Sequence, residues 1–264
     1  MPIEERFPRP SVMGIVNVTP DSFSDSGVHL DPDVAADAAR RMVAEGAAIV
    51  DVGGESTRPG SEGVSVKEEL RRVVPVLERL GGQVPVSIDT SKAEVARRAL
   101  ALGAELVNDV TALRGDQDMA AAVAEADAYV CLVHMRGEPR TMQDDPRYDD
   151  VVADVAAFLE ERLSFAVAAG IPEERVCLDP GIGFGKTVGH NVELVRRLDE
   201  LVAIGRPVLV GASRKRFLGR LLGDPEATVG PVTASVDAAV AAVASGATIV
   251  RVHDVPETVE ALLS

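Results

Sequence analysis

The chain has 264 residues, enough for one large domain or two ordinary ones, and a hydrophobic fraction of 46% that is ample for a core. Its formal net charge of -15 excludes general binding to nucleic acid or an anionic membrane, because the long-range field would repel phosphates. No run approaches the ~18 apolar residues of a membrane span, and the N-terminus lacks a basic segment followed by an apolar one. We therefore expect a cytoplasmic protein without nucleic-acid or membrane partners.

Short β-like runs recur along the chain with helical stretches between them, at residues 12–16, 48–52, 84–88, 105–107, 129–133, 175–178, 208–210 and 248–250. Most of these runs are continuously apolar, which is typical of parallel strands covered on both faces. No linker or shift in composition divides them into two groups. The sequence therefore predicts one α/β domain over residues 1–264, a (β/α)8 TIM barrel, with an open doubly wound sheet as the alternative.

Local signals mark the starts and ends of helices. Asp31 and Pro32 predict a capped helix start with proline at the first helical position. Residues 91–94, Ser-Lys-Ala-Glu, have the capping-box pattern, and Asn191 can cap a later helix. Glycine is predicted to end the helices that precede strands at Gly46, Gly103, Gly170 and Gly246.

Polar residues stand at or just after the end of every predicted strand. The carboxyl ends of barrel strands meet at one rim, where active sites of such enzymes are built, so these side chains are predicted to share a site. Taken singly, Asp51 and Asp109 are more simply interpreted as caps of the helices that follow. The residues concerned are Asn17, Asp51, Asp89, Asn108, Asp109, His134, Asp179, Ser213, Arg214, Lys215, Arg251 and His253.

The predicted rim combines two kinds of chemistry. Basic residues gather at the ends of the seventh and eighth strands, which predicts a phosphate or diphosphate site. Asp89, Asn108 and Asp179 offer acceptors suited to the N–H donors of a nitrogen heterocycle. Binding of a hard cation through Asn17 and ligand oxygens stays open, because magnesium takes few protein ligands beside a phosphate.

Residues 179–187, Asp-Pro-Gly-Ile-Gly-Phe-Gly-Lys-Thr, contain half of a phosphate-binding P-loop. Pro180 stands where that motif requires its first glycine, and it removes a backbone N–H donor. We predict instead that Asp179 ends a buried strand and points into the site, while the glycines let the loop approach a ligand. Lys186 is then predicted to be a surface charge or a charge behind the site.

Two long connections follow the first two strands, at residues 18–30 and 53–65. Loops of this length in a compact domain are typical of lids and binding loops, and these two are adjacent, so they could close over one mouth. A third connection, residues 135–148, is rich in Arg, Pro and Asp and is interpreted as a solvated crossover.

Taken together and in order, the motifs resemble the dihydropteroate synthase family nearly from end to end. The matching segments are MGIVNVTPDSFSD at 13–25, DVGGESTRPG at 51–60, SIDT at 87–90, NDV at 108–110, HMRG at 134–137, residues 179–187, GASRKRF at 211–217 and RVHDV at 251–255.

The resemblance implies a TIM-barrel transferase of folate biosynthesis, from a family of sulfonamide targets. The family condenses 6-hydroxymethyl-7,8-dihydropterin diphosphate with p-aminobenzoate, through a pterin cation, to give 7,8-dihydropteroate and diphosphate. The resemblance also implies Mg2+ as cofactor and a homodimer. Three alternatives stay open: a pterin-binding domain that serves a corrinoid methyltransferase, a non-catalytic pterin-binding paralogue, and a nucleotide hydrolase centred on Lys186.

Carried over residue by residue, the resemblance also implies roles. Pterin contacts are implied for Asp89, Asn108, Met135, Asp179, Phe184, Gly211 and Lys215. Contacts with p-aminobenzoate are implied for Phe23, Thr57, Arg58, Pro59, Phe184 and Ser213. Diphosphate contacts are implied for Asn17, Thr57, Arg251 and His253, with Asn17 as the magnesium ligand. The implied catalytic group is Asn17, Asp25, Arg58, Asp89 and Lys215.

Overall fold

Eight parallel strands form the centre of the protein, whose computed structural model describes residues 1–19, 31–58 and 60–264. The strands neighbour one another in the order β6-β5-β4-β3-β2-β1-β8-β7, and a parallel bridge between Leu178 and Val208 joins β6 to β7. The predicted (β/α)8 barrel is therefore confirmed. The strands are β1 Ser11–Asn17, β2 Ile49–Gly53, β3 Val86–Asp89, β4 Leu106–Asp109, β5 Tyr129–Val133, β6 Val176–Asp179, β7 Leu209–Val210 and β8 Ile249–Val252.

Helices alternate with the strands and cover the outside of the barrel. None of the helices in the described ranges has both the length and the apolar character needed to cross a membrane. These helices are α1 Ile3–Arg6, α2 Pro32–Ala44, α3 Val66–Leu80, α4 Ala93–Ala101, α5 Met119–Glu125, α6 Val151–Ala168, α7 Val188–Arg196, α8 Leu198–Val202, α9 Arg216–Leu221, α10 Val232–Ala244 and α11 Val255–Leu263.

An apolar plug closes the amino-terminal end of the barrel. Ile3 and Phe7, in and just after α1, are fully buried in the cluster that fills the barrel interior, together with Met13 and Ile49 from the strands. The rings of Phe7 and Tyr129 meet edge to face, with centroids 5.9 Å apart. Because this end is closed and dry, polar chemistry is confined to the carboxyl-terminal rim.

One of the predicted helix starts is confirmed and one is wrong. Asp31 caps α2, accepting a hydrogen bond from Asp33 N at 2.8 Å, with proline at the first helical position. The Ser91 capping box does not form, because the first amide of α4, Ala93 N, donates instead to Asp116 Oδ2 at 2.9 Å. The predicted glycine ends are confirmed by positive φ angles at Gly46, Gly103, Gly170 and Gly246.

The helix that follows residues 179–187 also starts differently from the prediction. Thr187 caps α7 in a reciprocal capping box with His190. Asn191 lies one turn inside the helix and is buried, so the prediction that it is the cap is wrong. Its Oδ1 accepts a hydrogen bond from Gly183 N at 2.7 Å, which ties the helix to the loop before it.

Candidate functional site

The rim is built on a layer of residues aligned across four strands. Asn17, Gly53, Asp89 and Asn108 are successive register partners on β1, β2, β3 and β4. A Cβ atom added to Gly53 would lie 3.6 Å from Asp89 Oδ2 and 3.7 Å from Asn17 Oδ1. The missing side chain at Gly53 therefore leaves the amide of Asn17 and the carboxylate of Asp89 facing the same space, as the strand-end pattern predicts.

A buried ion network lies just below this layer. Arg251 on β8 donates from Nε to Asp51 Oδ2 at 2.6 Å and from Nη2 to Asp89 Oδ2 at 2.9 Å. Asn108 Nδ2 donates to the same Asp51 oxygen at 2.9 Å. Asp51 is completely buried, so its charge needs these partners. The interpretation of Asp51 as a helix cap is wrong, because its side chain is the counter-ion of Arg251, 200 residues further along the chain.

For Asp109 the interpretation as a helix cap is also wrong, although its hydrogen bonds are local. Its side chain points away from the mouth and accepts hydrogen bonds from Thr111 N and Leu113 N, each at 2.8 Å. These bonds close the turn after β4 rather than cap a helix. Asp109 therefore supports the backbone behind the rim.

Hydrogen-bond acceptors accumulate on one side of the mouth, and one of them has no donor among the described residues. Asn108 Oδ1 is buried and has no hydrogen-bond partner within the described part of the chain. Asp179 Oδ1 accepts from Gly181 N at 2.6 Å, which fixes the orientation of that carboxyl group. Burial raises the pKa of Asp179, and it raises the pKa of Asp89 to about 7 against the opposing pull of Arg251. A ligand with several N–H donors would satisfy this side of the site.

The loop after β6 is held together by Lys186. Only 3% of this lysine is exposed, and its Nζ donates to Gly181 O at 3.0 Å and to Phe184 O at 3.1 Å. The same nitrogen lies 2.8 Å from His134 Nδ1, and burial lowers the pKa of Lys186 well below its ordinary value. Of the two predicted positions, the surface is wrong and a charge behind the site is confirmed. Lys186 is enclosed by carbonyl groups, which also removes the basis for a P-loop hydrolase.

Gly181 meets both a conformational and a steric requirement. Its φ of 66° lies in the left-handed region, and a Cβ atom there would lie 1.8 Å from His134 O. The loop after β6 therefore presses directly on the backbone that leaves β5. This contact sets the height of Asp179 and Phe184 relative to the rest of the rim.

Most of residues 135–148 are exposed, as their interpretation as a solvated crossover expects, but a few of their side chains pack inward against this loop. Met135 and Met142 are buried in the cluster inside the barrel, with Phe184 packed beside them. Tyr148 donates from its hydroxyl to Gly185 O at 2.8 Å. The Arg, Pro and Asp residues that suggested a solvated segment occupy the outer face, while two methionines and one tyrosine point inward.

Lys215 stands beside the apolar face of the loop after β6. Its Nζ lies 4.4 Å from the centroid of the Phe184 ring and donates to Ile182 O. Burial lowers the pKa of Lys215 to about 8, although Asp179 opposes the shift. Gly211 lies on the other side, where an added Cβ atom would be 3.7 Å from the Cβ of Arg251. Phe184, Lys215 and Asp179 thus form one wall of the mouth.

The opposite wall is basic and surrounds His253. His253 Nδ1 lies 3.1 Å from Ser213 Oγ, and its buried Nε2 has no partner within the described ranges. The pKa of His253 falls well below its ordinary value, first because of burial and then because of nearby cations. In decreasing order of effect, these are Arg251, Arg214, Arg58 and Lys215. Such a concentration of cations in an acidic protein marks an anion site.

Not all of the predicted site residues can be placed. Phe23, Asp25 and Pro59 lie outside the described residues. Thr57 and Arg58 lie half-buried on the connection after β2, and the effect of Arg58 on His253 brings this connection to the basic wall. Arg214 contacts Asp254, with Nη2 donating to Oδ1 at 2.6 Å, so part of its charge is already paired.

Asn17 is the residue of the rim that could share a hard metal ion with a ligand. The described residues hold no group of three or more His, Cys, Asp or Glu side chains that could bind a metal by themselves. An amide oxygen beside the carboxylate of Asp89 is a hard donor set, which fits magnesium completed by phosphate oxygens and water. The same set does not fit zinc, which prefers His and Cys ligands.

The two glycines of this region provide a matched test of the contact between the loops. Gly181→Ala should lower the free energy of unfolding by about 2–4 kcal/mol, because the methyl group meets His134 O and the φ angle is strained. Gly189→Ala on α7 should change it by less than about 1 kcal/mol, since its Cβ meets only Thr187 Oγ1 at 3.8 Å. Urea denaturation measures both, and equal effects would contradict the proposed contact.

Comparison with known proteins agrees with this geometry. The pterin binding enzyme family matches residues 13–253. Dihydropteroate synthase of Escherichia coli strain K12 is 49% identical over 258 residues, covering 96% of this chain and 89% of that protein. The Yersinia pestis dihydropteroate synthase, solved with a sulfonamide drug complex, has a TM-score of 0.91 and 49% identity, with 97% of this chain and 92% of that chain covered. The Xanthomonas albilineans enzyme in complex with 7,8-dihydropteroate has a TM-score of 0.84 and 48% identity at the same coverage. The chain belongs to the dihydropteroate synthase family of pterin-binding enzymes.

Proposed function

We infer that this chain catalyses the dihydropteroate synthase reaction. It joins 6-hydroxymethyl-7,8-dihydropterin diphosphate to p-aminobenzoate and releases 7,8-dihydropteroate and diphosphate. The observation that carries the inference is the division of the mouth into an acceptor wall at Asp89, Asn108 and Asp179 and a basic wall around His253. A heterocycle rich in N–H groups and its diphosphate leaving group need these two environments side by side.

We propose that the pterin ring binds at the acceptor wall. Asp179 would accept from the amino group and the adjacent ring N–H, because a carboxylate can take two parallel N–H bonds. Asn108 Oδ1, which has no partner in the described ranges, would take a further ring N–H. Lys215 would donate to the ring carbonyl, and Met135 and Phe184 would supply the apolar contacts beside it.

The proposed chemical step is a substitution at the methylene carbon of the pterin. The carbon–oxygen bond breaks and its electron pair leaves with the diphosphate, so positive charge develops on the pterin. The amine of p-aminobenzoate then forms the new carbon–nitrogen bond and loses a proton. Asp89 lies where its carboxylate would offset the ring charge, while Arg251 and His253 would stabilise the departing anion, an electrostatic form of catalysis.

Magnesium is proposed as the cofactor, with Asn17 as its protein ligand. The support is the hard oxygen donor set at Asn17 and Asp89, which needs phosphate oxygens to complete it. Bound there, the ion would supply Lewis-acid stabilisation of the leaving diphosphate. Asn17 itself would orient the diphosphate toward the basic wall.

The second substrate is proposed to bind toward the connection after β2. Thr57 and Arg58 lie on that connection, and Ser213 lies on the basic wall beside His253. Phe184 would separate the two substrates, because its ring stands at the mouth beside Lys215. Sulfonamide drugs carry an aminophenyl group like that of p-aminobenzoate. We therefore propose that they inhibit this protein by binding at the same subsite.

A homodimer in the cytoplasm is the proposed working form. Large apolar side chains are exposed together around α9 and the start of α10, at Leu221, Leu222, Val229 and Val232. Cys131 and Cys177 are register partners on β5 and β6 and remain free thiols, as is usual in a reducing compartment. Light scattering of the purified protein should give twice the 27.7 kDa mass of one chain, and a mass of one chain would contradict the homodimer.

The first test is product formation. Purified protein given the pterin diphosphate, p-aminobenzoate and magnesium should release 7,8-dihydropteroate and one equivalent of diphosphate. Chelation should remove the activity and added magnesium should restore it, because the leaving group would lose its counter-ion. Thermal stabilisation by pterin without turnover would instead identify a non-catalytic paralogue, and methyl transfer to a corrinoid protein would identify the other alternative.

A pair of variants tests the assignment of the two subsites. Asp179→Ala should weaken pterin binding by about 1–3 kcal/mol or more, roughly five- to 150-fold, because the ring N–H groups lose their acceptor. Arg58→Ala should leave pterin affinity within about twofold and raise the KM for p-aminobenzoate. Calorimetry with 6-hydroxymethylpterin and steady-state kinetics separate the two. Equal loss of both substrates in the Arg58 variant would contradict the assignment.

The pH profile tests the proposed role of Lys215. Since burial lowers the pKa of Lys215 to about 8, its ammonium form is lost above that pH, and kcat/KM for the pterin diphosphate should fall there. This ratio reports the free enzyme, so bound substrate does not mask the group. In Lys215→Arg the guanidinium stays protonated, and the alkaline fall should move up by more than about two pH units. An unchanged alkaline limb would remove Lys215 from the proposed machinery.

A further inference from the structure

A partly buried lysine outside the mouth joins the connection after β2 to the helix that follows it. Lys92, at the start of α4, donates from Nζ to Glu55 Oε2 at 2.7 Å and to Glu69 Oε2 at 2.6 Å. The Glu69 side chain is fully buried on α3, and Glu55 stands at the beginning of the connection. Two carboxylates, one of them fully buried, thus share one ammonium group.

Glu55 also ties together the two ends of the connection. Its Oε1 accepts a hydrogen bond from Val64 N at 2.7 Å, nine residues further on. The other carboxyl oxygen is held by Lys92, so a single side chain bridges the entry, the exit and the barrel wall. Arg72 on α3 adds a bond from Nη1 to Gly54 O at 2.9 Å. The base of the connection is therefore clamped at residues 54, 55 and 64.

Little space is left for this base to move. A Cβ atom added to Gly54 would lie 2.7 Å from Val73 Cγ1 and 3.1 Å from Glu69 Cγ. Beyond the clamp, Ser61 Oγ lies 2.6 Å from Ser56 O and 2.7 Å from Arg58 O, so the turn at its centre is also closed. The direction in which residues 56–58 leave the barrel therefore depends on Glu55 at the base, while the hydrogen bond from Gly60 N to Pro139 O at 3.0 Å holds the part beyond them.

We propose that Lys92 is a positioning residue for the second substrate, because it fixes Glu55 and thereby the placement of Thr57 and Arg58 over the mouth. The proposal rests on the function proposed above, in which those two residues serve p-aminobenzoate. Within the described part of the chain the ammonium group of Lys92 donates to Glu55 and Glu69 and not to the pterin wall, so we expect pterin binding to be independent of it. Lys92 keeps its positive charge. Burial acts to lower its pKa, but the hydrogen bonds to Glu55 and Glu69 hold the pKa of Lys92 above its ordinary value.

The first variant is Lys92→Met, which keeps the length of the side chain and removes the charge. Hydrogen exchange at the Val64 amide should rise by about tenfold or more, because Glu55 loses its tether. The KM for p-aminobenzoate should rise by about tenfold, while calorimetric affinity for 6-hydroxymethylpterin stays within about twofold. Lys67→Met, at an exposed lysine on α3, is the matched control and should change neither quantity.

The second variant, Lys92→Met with Glu69→Gln, separates positioning from stability. The single variant leaves two carboxylates without a cation, so its melting temperature should fall, and the neutral glutamine should restore most of that loss. Positioning predicts that the KM for p-aminobenzoate stays raised in the double variant, since Glu55 is still untethered. Recovery of that KM together with the melting temperature would overturn the proposal. If the single variant does not fold, the double variant supplies the same comparison.

Two further outcomes would also overturn the proposal: unchanged exchange at Val64, or equal loss of pterin and p-aminobenzoate use. The exchange measurement needs no turnover. If the wild-type protein made no dihydropteroate, the function proposed above would fail while the Val64 amide still reported whether Lys92 holds the connection.

Discussion

The pairing of Arg251 with Asp51 and Asp89 is the constraint on which the rest of the site depends. The carboxylates of Asp51, Asp89 and Asp179 stand around two cations, Arg251 and Lys215. Burial is the largest cause of the pKa shifts of Asp89, Asp179 and Lys215. Buried charge without a partner is strongly unfavourable, so this excess of acceptors favours a ligand that brings positive character. A pterin that becomes cationic during the reaction would supply this positive charge.

The same division of charge gives the mouth a negative side and a positive side. Acceptors come from β3, β4 and β6, whereas the cations around His253 come from β7, β8 and the connection after β2. A substrate lying between them has its ring in a negative field and its leaving group in a positive one. Both fields stabilise the separation of charge as the carbon–oxygen bond breaks, and both are set in place before the substrate arrives. Arg251 joins the two halves, because it pairs with Asp89 and is also the leading charge acting on His253.

Sequence reasoning reached the barrel and the rim because both depend on local signals. Continuous apolar runs mark strands, and the polar residue that ends each run falls on the same rim by the rule of parallel strands. The role of Asp51 could not be found that way, since its partner on β8 is fixed only by closure of the barrel. Sequence reasoning leaves two positions open for Lys186 for a related reason: its burial follows from loop carbonyls that fold back around it, and the sequence carries no local signal of that. Asn191 and Ser91 show the limit of capping patterns, because a neighbouring side chain can displace the expected one.

The two substrates are proposed to meet parts of the protein that differ in rigidity, and this difference has a physical reason. Residues such as Asp89, Asn108 and Asp179 end buried strands, so the pterin wall is held by the sheet itself. Thr57 and Arg58 lie on a connection outside the sheet, which is fixed at its base through Glu55 and Lys92 and further along by a hydrogen bond from Gly60 N to Pro139 O. A reactive cation must be shielded from water until the amine arrives, yet the amine must still be able to enter. The pterin wall, which the sheet holds, can shield the cation. The connection on the side of the amine is held at its base by Glu55 and Lys92, so it stays close to the mouth while the amine can still enter.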